Sequence, residues 1–318
     1  MARAFLRRLA LSLGVVWLVT VLVFVSTEIL PGDALQVSLT ADEAAQMTED
    51  DFARRRAELG LDRPAPARYA GWLLAAAKGD FGTTIIGKAD VTEVIAYPLR
   101  NSVLLGLVTA LVAIPAALAI GIAAAYWRGR APDFAASSGA ILGYSIPEFA
   151  SGNFLILCFA IWVPVFPAVI TAFTKDPPSV LLGAAFLPVL TVVIGSIAHL
   201  VRLVRAGFIE ALNSDYVERA RLAGASRLRI ILRHALPASV IPALNSAALY
   251  VAGLLSGIIV VEKVFGYPGL GLVLINAVEK REVAVVQAVS LIAAVIVVAM
   301  NLLADAAVMA LDPRARSR

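Results

Sequence analysis

The residues of this sequence that could do chemistry are concentrated in residues 215–237, between two apolar stretches. This charged segment, as it is named here, holds Asp215, Glu218, Arg219, Arg221, Arg227, Arg229 and Arg233. The whole chain, by contrast, is 60% hydrophobic and only 16% charged. Carboxylates and guanidinium groups at this density suit ion pairing and hydrogen bonding, so we expect the segment to be presented to another molecule.

The charged segment predicts two short helices joined by a glycine. Asp215 and Glu218 have the spacing of a capping box, with Asp215 as the N-cap residue. Gly224 stands where a glycine commonly ends a helix. Ser226 then caps a second helix, and Pro237 lies just past its end.

Small and apolar residues of the charged segment suit close packing. The small residues near the joint are Ala220, Ala223, Gly224 and Ala225, and the apolar stripe of the second helix is Leu228, Ile231, Leu232 and Ala235. One interpretation is a surface that packs against a protein partner. The other is a helix pair lying on anionic lipid with its arginines toward the headgroups. Glu218 caps its helix, or it also meets a basic group of a partner.

Motifs for catalysis, nucleotide binding and metal binding are missing from the sequence. A phosphate-binding loop needs Gly-x-x-x-x-Gly-Lys-Ser/Thr, and the five lysines are followed by Gly, Ala, Asp, Val and Arg. The two histidines, His199 and His234, and the single Cys158 form no cluster suited to a metal. We therefore expect no catalytic residue, no metal site and no cofactor on this chain, which is not an enzyme.

Polar residues inside apolar stretches are costly in lipid and mark candidates for a transport pathway. They are Ser145, Glu148, Asn153, Ser196, His199, Asn245, Ser246 and Ser256. Glu148 stands out, because it is ionisable and follows the helix-breaking Pro147. The alternative is that Glu148 lies at the membrane surface and reaches water.

The elements that position these residues are apolar stretches long enough to cross a bilayer. Six are expected, near 9–30, 102–126, 136–162, 180–203, 238–261 and 284–309. Soluble domains carry about 25% charged residues, so the fold class is an all-α polytopic membrane protein with six transmembrane helices. The first stretch is longer than the apolar part of a signal peptide, about 7–15 residues, and is interpreted as a retained span.

The spans divide the chain into three regions. Residues 1–30 are an N-terminal cytoplasmic segment and the first span, and residues 31–101 an extracytoplasmic region with helices near 40–58 and 66–78. Residues 102–318 are a five-helix core with an inner loop at 205–237. About fifteen arginines lie in the short inner segments against about four lysines and arginines outside, which places both termini in the cytoplasm. Region 31–101 is either a spacer or a docking platform.

The charged segment resembles the Glu-Ala-Ala loop of bacterial ABC importer permeases. Glu218, Ala220 and Gly224 match that pattern and Leu236-Pro237 closes it, whereas Arg219 replaces the first alanine. Further segments resemble the first membrane subunit of the dipeptide/oligopeptide permease branch, in the right order along nearly the whole chain. They are Leu-Pro-Gly-Asp at 30–33, Gly-Asp-Phe-Gly at 79–82, Ser-Ile-Pro-Glu-Phe at 145–149, Glu-Lys-Val-Phe-Gly-Tyr-Pro-Gly-Leu-Gly at 262–271 and Leu-Asp-Pro-Arg at 311–314.

The resemblance implies a type I ABC importer-like fold and ATP-driven uptake of short peptides or a related small solute across the inner membrane. It implies a second homologous permease subunit, two cytoplasmic ABC ATPase subunits that bind ATP and Mg, and an extracytoplasmic solute-binding protein that selects the cargo. Relatives of this kind also handle nickel, glutathione, oligosaccharides and opine-like compounds.

The resemblance also assigns residues of the charged segment to coupling with the ATPase. These are Glu218, Ala220, Leu222, Ala223, Gly224, Ala225 and Ser226. The main alternative is a stand-alone secondary transporter or channel, which would carry its own coupling-ion site. A non-transport scaffold subunit is a third reading, which the polar, proline-broken spans disfavour.

Overall fold

The structure is a computed structural model that describes residues 2–29, 48–58, 62–85, 87–236, 254 and 257–311. These ranges contain no strand, and their only bridge pairs Thr83 with Asp90. The helices are Ala2–Ile29 (α1), Glu49–Glu58 (α2), Ala65–Ala76 (α3), Val91–Tyr126 (α4), Ala131–Ser145 (α5), Glu148–Ile156 (α6), Pro178–Ala184 (α7), Phe186–Leu212 (α8), Asp215–Leu222 (α9), Arg227–Arg229 (α10), Gly257–Phe265 (α11), Leu270–Glu279 (α12) and Val283–Leu311 (α13). Two π-helices, Leu157–Trp162 and Ile230–Ala235, continue α6 and α10.

Four of the described helices are long and apolar enough to cross a membrane: Arg7–Thr27 within α1, Val91–Tyr126, Phe186–Leu212 and Val283–Leu303 within α13. Two bent pairs raise the number to six if each pair is one span. The all-α polytopic fold is therefore confirmed. At 1.5 Å per residue the 36-residue α4 is about 54 Å long, so its ends extend beyond a hydrocarbon core of about 30 Å.

The third predicted span, 136–162, corresponds to a bent pair of helices. It is bent by 101° between α5 and α6. Ile146 has φ −92° and ψ 124°, and Pro147 has φ −57° and ψ 140°, so both residues leave the helical region. The cause is local, because proline disfavours a helical conformation in the residue before it.

The fifth predicted span, 238–261, lies mostly outside the described residues. Its described end belongs to α11, which meets α12 at a bend of 78°. The motif at 262–271 contains this bend. The chain therefore turns sharply just where the sequence contains Gly266, Pro268 and Gly269.

The centre of the bundle is the pair α4 and α8. The two backbones approach closely at Gly121, where a Cβ would lie 2.7 Å from Val204 Cγ1. Helix α5 also packs along α8, and a Cβ at Gly143 would lie 2.8 Å from the Ile194 carbonyl oxygen. Helix α1 packs against α13. The largest core cluster includes Leu105, Val192, Ile258, Phe265 and Tyr267, all of them buried.

The two ends of the bundle differ in the elements that they carry. The α12 end, at the start of α4, is held by the buried cluster Val91, Ile95, Leu270, Ala277, Val285, Ala288 and Val289. The α9 end, at the end of α4, is held by the buried cluster Ala125, Phe208, Ala211 and Ala235. The charged segment lies at the α9 end.

The region between α1 and α4 contains two described helices. Helix α3 corresponds to the helix predicted near 66–78, and its Tyr69 hydroxyl lies 2.8 Å from Thr20 Oγ1 of α1. Helix α2 overlaps the helix predicted near 40–58, but residues 30–47 lie outside the described residues. The motif at 30–33 and most of that at 311–314 lie outside them too.

Candidate coupling segment and transport pathway

The charged segment follows α8 after a turn at Asn213 and Ser214. Ser214 is the N-cap residue of α9, and no side-chain capping hydrogen bond forms there. The predicted capping box is therefore wrong by one residue: Asp215 is the first residue of the helix. Its carboxylate remains in the first turn, where the helix dipole favours negative charge. The Glu218 side chain is exposed, and it makes no capping contact within the described residues.

Gly224 ends α9 as the sequence predicts. Its φ is +79°, and the Ala225 N–H donates to the Ala220 carbonyl at 3.1 Å while the Gly224 N–H donates to that of Arg221 at 3.0 Å. This is the Schellman pattern, which places a left-handed residue after the helix. A Cβ at Gly224 would meet nothing within 4 Å. The backbone conformation, and not lack of space, therefore requires glycine here.

The second part of the charged segment is not the regular helix predicted. Arg227–Arg229 is α-helical, and a π-helix follows over Ile230–Ala235. A π-helix shifts the angular position of each residue, so the predicted apolar stripe is split. Ala235 is fully buried, whereas Leu228 is 65% and Leu232 is 55% exposed.

The charged segment combines a buried anchor with an exposed apolar surface. Val217 of α9 and Ala235 are fully buried, and Ile230 is 4% exposed. The large apolar side chains left exposed are Tyr216, Leu222, Leu228 and Leu232, with Leu222 at 83%. Within the described residues, the segment is thus fixed to the bundle on one side and exposed on the other.

Glu148 occupies the break between α5 and α6. A Cβ at Gly257 of α11 would lie 2.5 Å from either carboxylate oxygen of Glu148, and one at Gly195 of α8 would lie 2.9 Å from its Cγ. Two glycines on facing helices therefore make the room that this half-buried carboxylate occupies. The Glu148 carboxylate therefore lies where the α5–α6 pair meets α8 and α11.

Of the other pathway candidates, four lie within the described residues. Ser145, Asn153 and His199 have exposed side chains, and the Ser145 hydroxyl donates to the Ile141 carbonyl at 2.8 Å. Ser196 follows Gly195, and its hydroxyl donates to the Val192 carbonyl. Asn245, Ser246 and Ser256 lie outside the described residues. In the described part of the chain no three His, Cys, Asp or Glu side chains are placed to hold a metal ion.

An ion pair that the sequence did not reveal joins α5 to α8 at the α9 end. Arg205 Nε lies 2.6 Å from Asp133 Oδ1, and Arg205 Nη2 lies 2.8 Å from Asp133 Oδ2. The side chains are 29% and 9% exposed. Two parallel contacts fix the direction of such a pair as well as its length.

A buried hydrogen-bond network lies at the opposite, α12 end. Glu262 is fully buried and accepts from Ser102 Oγ at 2.5 Å, from the Gly271 N–H at 2.6 Å and from the Leu272 N–H at 3.3 Å. Ser102 Oγ accepts from the Leu270 N–H at 2.7 Å. The free N–H groups at the start of α12 are thus capped by side chains of α11 and α4.

Asn101 extends this network to two further segments. Its Nδ2 donates to the backbone carbonyls of Pro268 at 2.8 Å and Thr174 at 3.1 Å. The backbone carbonyl of Asn101 accepts from the Tyr267 hydroxyl at 3.1 Å. Glu282 adds a link at the same end, since the Ile85 N–H donates to its Oε2 at 2.7 Å. Three loops are therefore tied to helix ends by side chains.

Residues 117–317 match the family model described as the inner membrane component of binding-protein-dependent transport systems. The chain belongs to this family. A Brucella ovis protein named as a peptide permease is 33% identical over 318 residues, 99% of each chain. The glutathione transport system permease protein GsiC of Salmonella typhi is 33% identical over 320 residues, 98% of each chain, and that of Pectobacterium atrosepticum is 34% identical over 319 residues, 99% of each chain.

This membership confirms the resemblance read from the charged segment and its companion motifs. The chain is a permease subunit of an ABC importer and a multi-pass component of the inner membrane, which works with other components of such a transporter. Its role is transport and not catalysis. This assignment takes the place of the stand-alone secondary transporter that the sequence left open.

Sequence reasoning missed several of the permease's best-organised polar residues. Asp133 follows Arg130-Ala131-Pro132, a helix start that could have been recognised, but nothing local pointed to Arg205 as its partner. Glu262 was noted only as part of a motif. Its position before Gly-Tyr-Pro-Gly and inside an apolar stretch was the available signal, since a carboxylate there needs donors.

Proposed function

We propose that the charged segment of this permease is its contact with the ATPase subunits of the importer. Its contact residues are Glu218, Ala220, Leu222, Ala223, Gly224, Ala225 and Ser226. The observation that carries the proposal is the exposed apolar surface on either side of Gly224, above a buried anchor.

A protein partner suits this surface better than lipid alone. Leu222 and Leu228 are 83% and 65% exposed and lie on the two sides of the glycine joint. Exposed apolar patches with polar surroundings mark protein or membrane contacts. A helix that lies on lipid presents one continuous apolar stripe, whereas the π-helix splits the stripe here. The exposed Glu218 carboxylate is then available to a basic group of the partner.

Movement of the charged segment has a direct route into the membrane helices. Only Asn213 and Ser214 separate α8 from α9, and Ala235 packs against Phe208 of α8. Closure of the ATPase subunits on ATP moves α9 and α10 together, and α8 moves with them. Coupled transport requires two conformations of the permease whose populations are shifted by ligands at both of its ends.

The assembly that fits this role contains a second homologous permease subunit, two cytoplasmic ABC ATPase subunits and an extracytoplasmic solute-binding protein. The arginine bias supports a cytoplasmic position for both termini and for the α9 end. The α12 end then faces the binding protein. ATP and Mg bind to the ATPase subunits.

The cargo that the relatives favour is a short peptide or a related small solute such as glutathione. Two Brucella relatives are named as peptide permeases and others as glutathione transport permeases. Glu148, at the break between α5 and α6, is the best-placed pathway residue, because it is ionisable and lies among three spans. Its carboxylate suits the positively charged amino group that both cargo types carry.

The coupling assignment is tested by Gly224→Trp in the assembled importer. Tryptophan, as an L residue, is strained in the left-handed conformation of position 224, and its indole covers the proposed contact. We expect uptake of labelled dialanine and glutathione, and transport-linked ATP hydrolysis, to fall about tenfold or more, in the range of strong site-to-site coupling. Membrane insertion should stay normal.

The matched control is Gly79→Trp. Gly79 also has a positive φ, +83°, and open space, but it lies at the α12 end. The Gly79→Trp variant should leave the ATPase subunits bound to the permease. Normal uptake by the Gly224→Trp importer would overturn the coupling assignment.

A further inference from the structure

The Asp133–Arg205 pair connects more than two side chains. On its own side Asp133 accepts from the Gly129 N–H at 2.9 Å and lies 3.5 Å from Ser137 Oγ. Gly129 belongs to the turn between α4 and α5, and its φ is +76°. The Asp133 carboxylate is therefore fixed both to the turn and to α5. If the Arg205 guanidinium moves, the carboxylate has little freedom to follow it unless α5 moves too.

Arg205 lies on the part of α8 that leads into the charged segment. Phe208, one turn further along, is fully buried and packs in the same cluster as Ala235. The helix ends at Leu212 and α9 begins at Asp215. A displacement of α9 therefore reaches Arg205 through a continuous helix and a single short turn.

Helix α5 carries the same displacement to the break at Glu148. It runs from Ala131 to Ser145, so Asp133 lies near one end and the break near the other. At the break, the Glu148 carboxylate packs against Gly195 and Gly257. Elsewhere α5 contacts α8 through close backbone packing, as at Gly143 and Ile194, and such packing has no polar bond to stop the helices sliding.

We propose that Asp133 and Arg205 are positioning residues that form a tie between α5 and α8. The tie stays closed through the transport cycle and carries the displacement of the charged segment into α5, and so to the break at Glu148. The proposal rests on the coupling function proposed above. Without the tie, α8 slides along α5 as it moves. The α5 side of the break then no longer follows the charged segment, and only the direct contact of Gly195 with Glu148 still links α8 to the pathway.

The first test measures whether the nucleotide state of the ATPase is felt at the far end of α5. A single reporter is made by Ser145→Cys in a Cys158→Ser background, and its labelling by a maleimide is timed in the assembled importer. The importer is compared without nucleotide and with ATP plus vanadate. We expect the labelling rate to change about fivefold, the lower range of allosteric coupling. The readout needs no knowledge of the cargo.

The variants Asp133→Asn and Arg205→Gln should abolish most of this nucleotide-dependent change, with the ATPase subunits still bound. Arg202→Gln is the matched control, because Arg202 is an exposed arginine on the same helix. It should leave the change intact. The tie is overturned if the labelling rates of the two tie variants change with nucleotide as much as that of the control. It is also overturned if the labelling rate of the unmodified background does not change while its ATPase subunits remain bound.

A second test asks whether the pair must open. In the same background, Asp133→Cys and Arg205→Cys are combined and joined by a short thiol cross-linker. A tie predicts that cross-linking raises ATP hydrolysis by the importer above that of the uncross-linked double variant. Arrest of hydrolysis on cross-linking would overturn the proposal. The proposed function fails separately, when Gly224→Trp has no effect on uptake.

Discussion

The two ends of the permease are held together in different ways. At the α12 end, buried side chains of α4 and α11 cap the start of α12 and tie down three loops, with Asn101, Ser102 and Glu262 at the centre. At the α9 end, the described polar link between spans is the Asp133–Arg205 pair, beside an apolar cluster around Phe208.

This difference indicates which end can move. Hydrogen bonds to buried backbone groups are directional, and breaking one leaves a donor or acceptor unsatisfied. Apolar packing has no such direction. We therefore expect the α12 end to behave as one rigid body. The α9 end should shift with the charged segment, and among its described residues the ion pair sets the direction of that shift.

The largest decrease in the free energy of unfolding, at the α12 end, is expected from Glu262→Ala. Removing the carboxylate leaves the Gly271 and Leu272 N–H groups and the Ser102 hydroxyl without their acceptor, at a cost of about 1–3 kcal/mol for each buried group left unsatisfied. The free energy of unfolding in a detergent–SDS titration, followed by tryptophan fluorescence, measures this loss.

Lys263→Ala is the control for Glu262→Ala. Lys263 lies next in sequence and pairs with Glu279 at 3.2 Å, but both side chains are well exposed, at 42% and 61%. Exposed pairs contribute little, so this variant should stay close to the parent. Equal losses in the two variants would contradict a rigid α12 end held by buried bonds.

A smaller loss is expected from Gly271→Ala. The added Cβ would lie 2.5 Å from Ile259 Cα and 2.8 Å from Glu262 Oε2. The Ile259 contact is backbone and cannot rotate away, so overpacking should cost about 1–3 kcal/mol. The same SDS titration applies, with Gly183→Ala as control, since a Cβ there meets nothing within 4 Å. An unchanged unfolding curve for Gly271→Ala would show that α11 and α12 can separate without loss.

The smallest effect is expected from Gly224→Ala at the other end. Space is free there, so the cost is the left-handed conformation alone, about 1 kcal/mol. Hydrogen exchange of the Ala225 N–H, which donates to the Ala220 carbonyl, should become severalfold faster. Gly224→Asn should be milder, because asparagine tolerates this conformation. Slower exchange in Gly224→Ala than in Gly224→Asn would contradict this account.

Much of the fold was predictable because its causes are local. Apolar stretches of span length predicted α1, α4, α8 and α13, and Gly224 was correctly expected to end α9. Pro147 was recognised as helix-breaking, but a proline inside a span predicts a kink without its angle. The cap at Ser214 and the π-helix at Ile230–Ala235 were missed, because small shifts in helix start and pitch depend on how α8 and the bundle meet the segment.

Of the candidate site, the sequence identified Glu148 as the notable polar residue of the spans, but not what surrounds it. Gly195 and Gly257 make room for its carboxylate from two other helices. Ser145, Asn153 and His199 were named on the same grounds, and their side chains are exposed, whereas that of Glu148 is half-buried. Composition marks a polar residue inside a span, whereas the face that it occupies depends on helix rotation.

The sequence by itself determined that this protein is a helical membrane permease with a charged, glycine-jointed segment between spans. Span length and the backbone preference of glycine are properties of neighbouring residues, so a linear reading suffices for them. Only the tertiary structure decided which polar groups meet: Asp133 with Arg205 across 72 residues and Ser102 with Glu262 across 160. Such pairs depend on how whole helices pack, since apolar packing sets the position and rotation of each helix before its few polar side chains find partners.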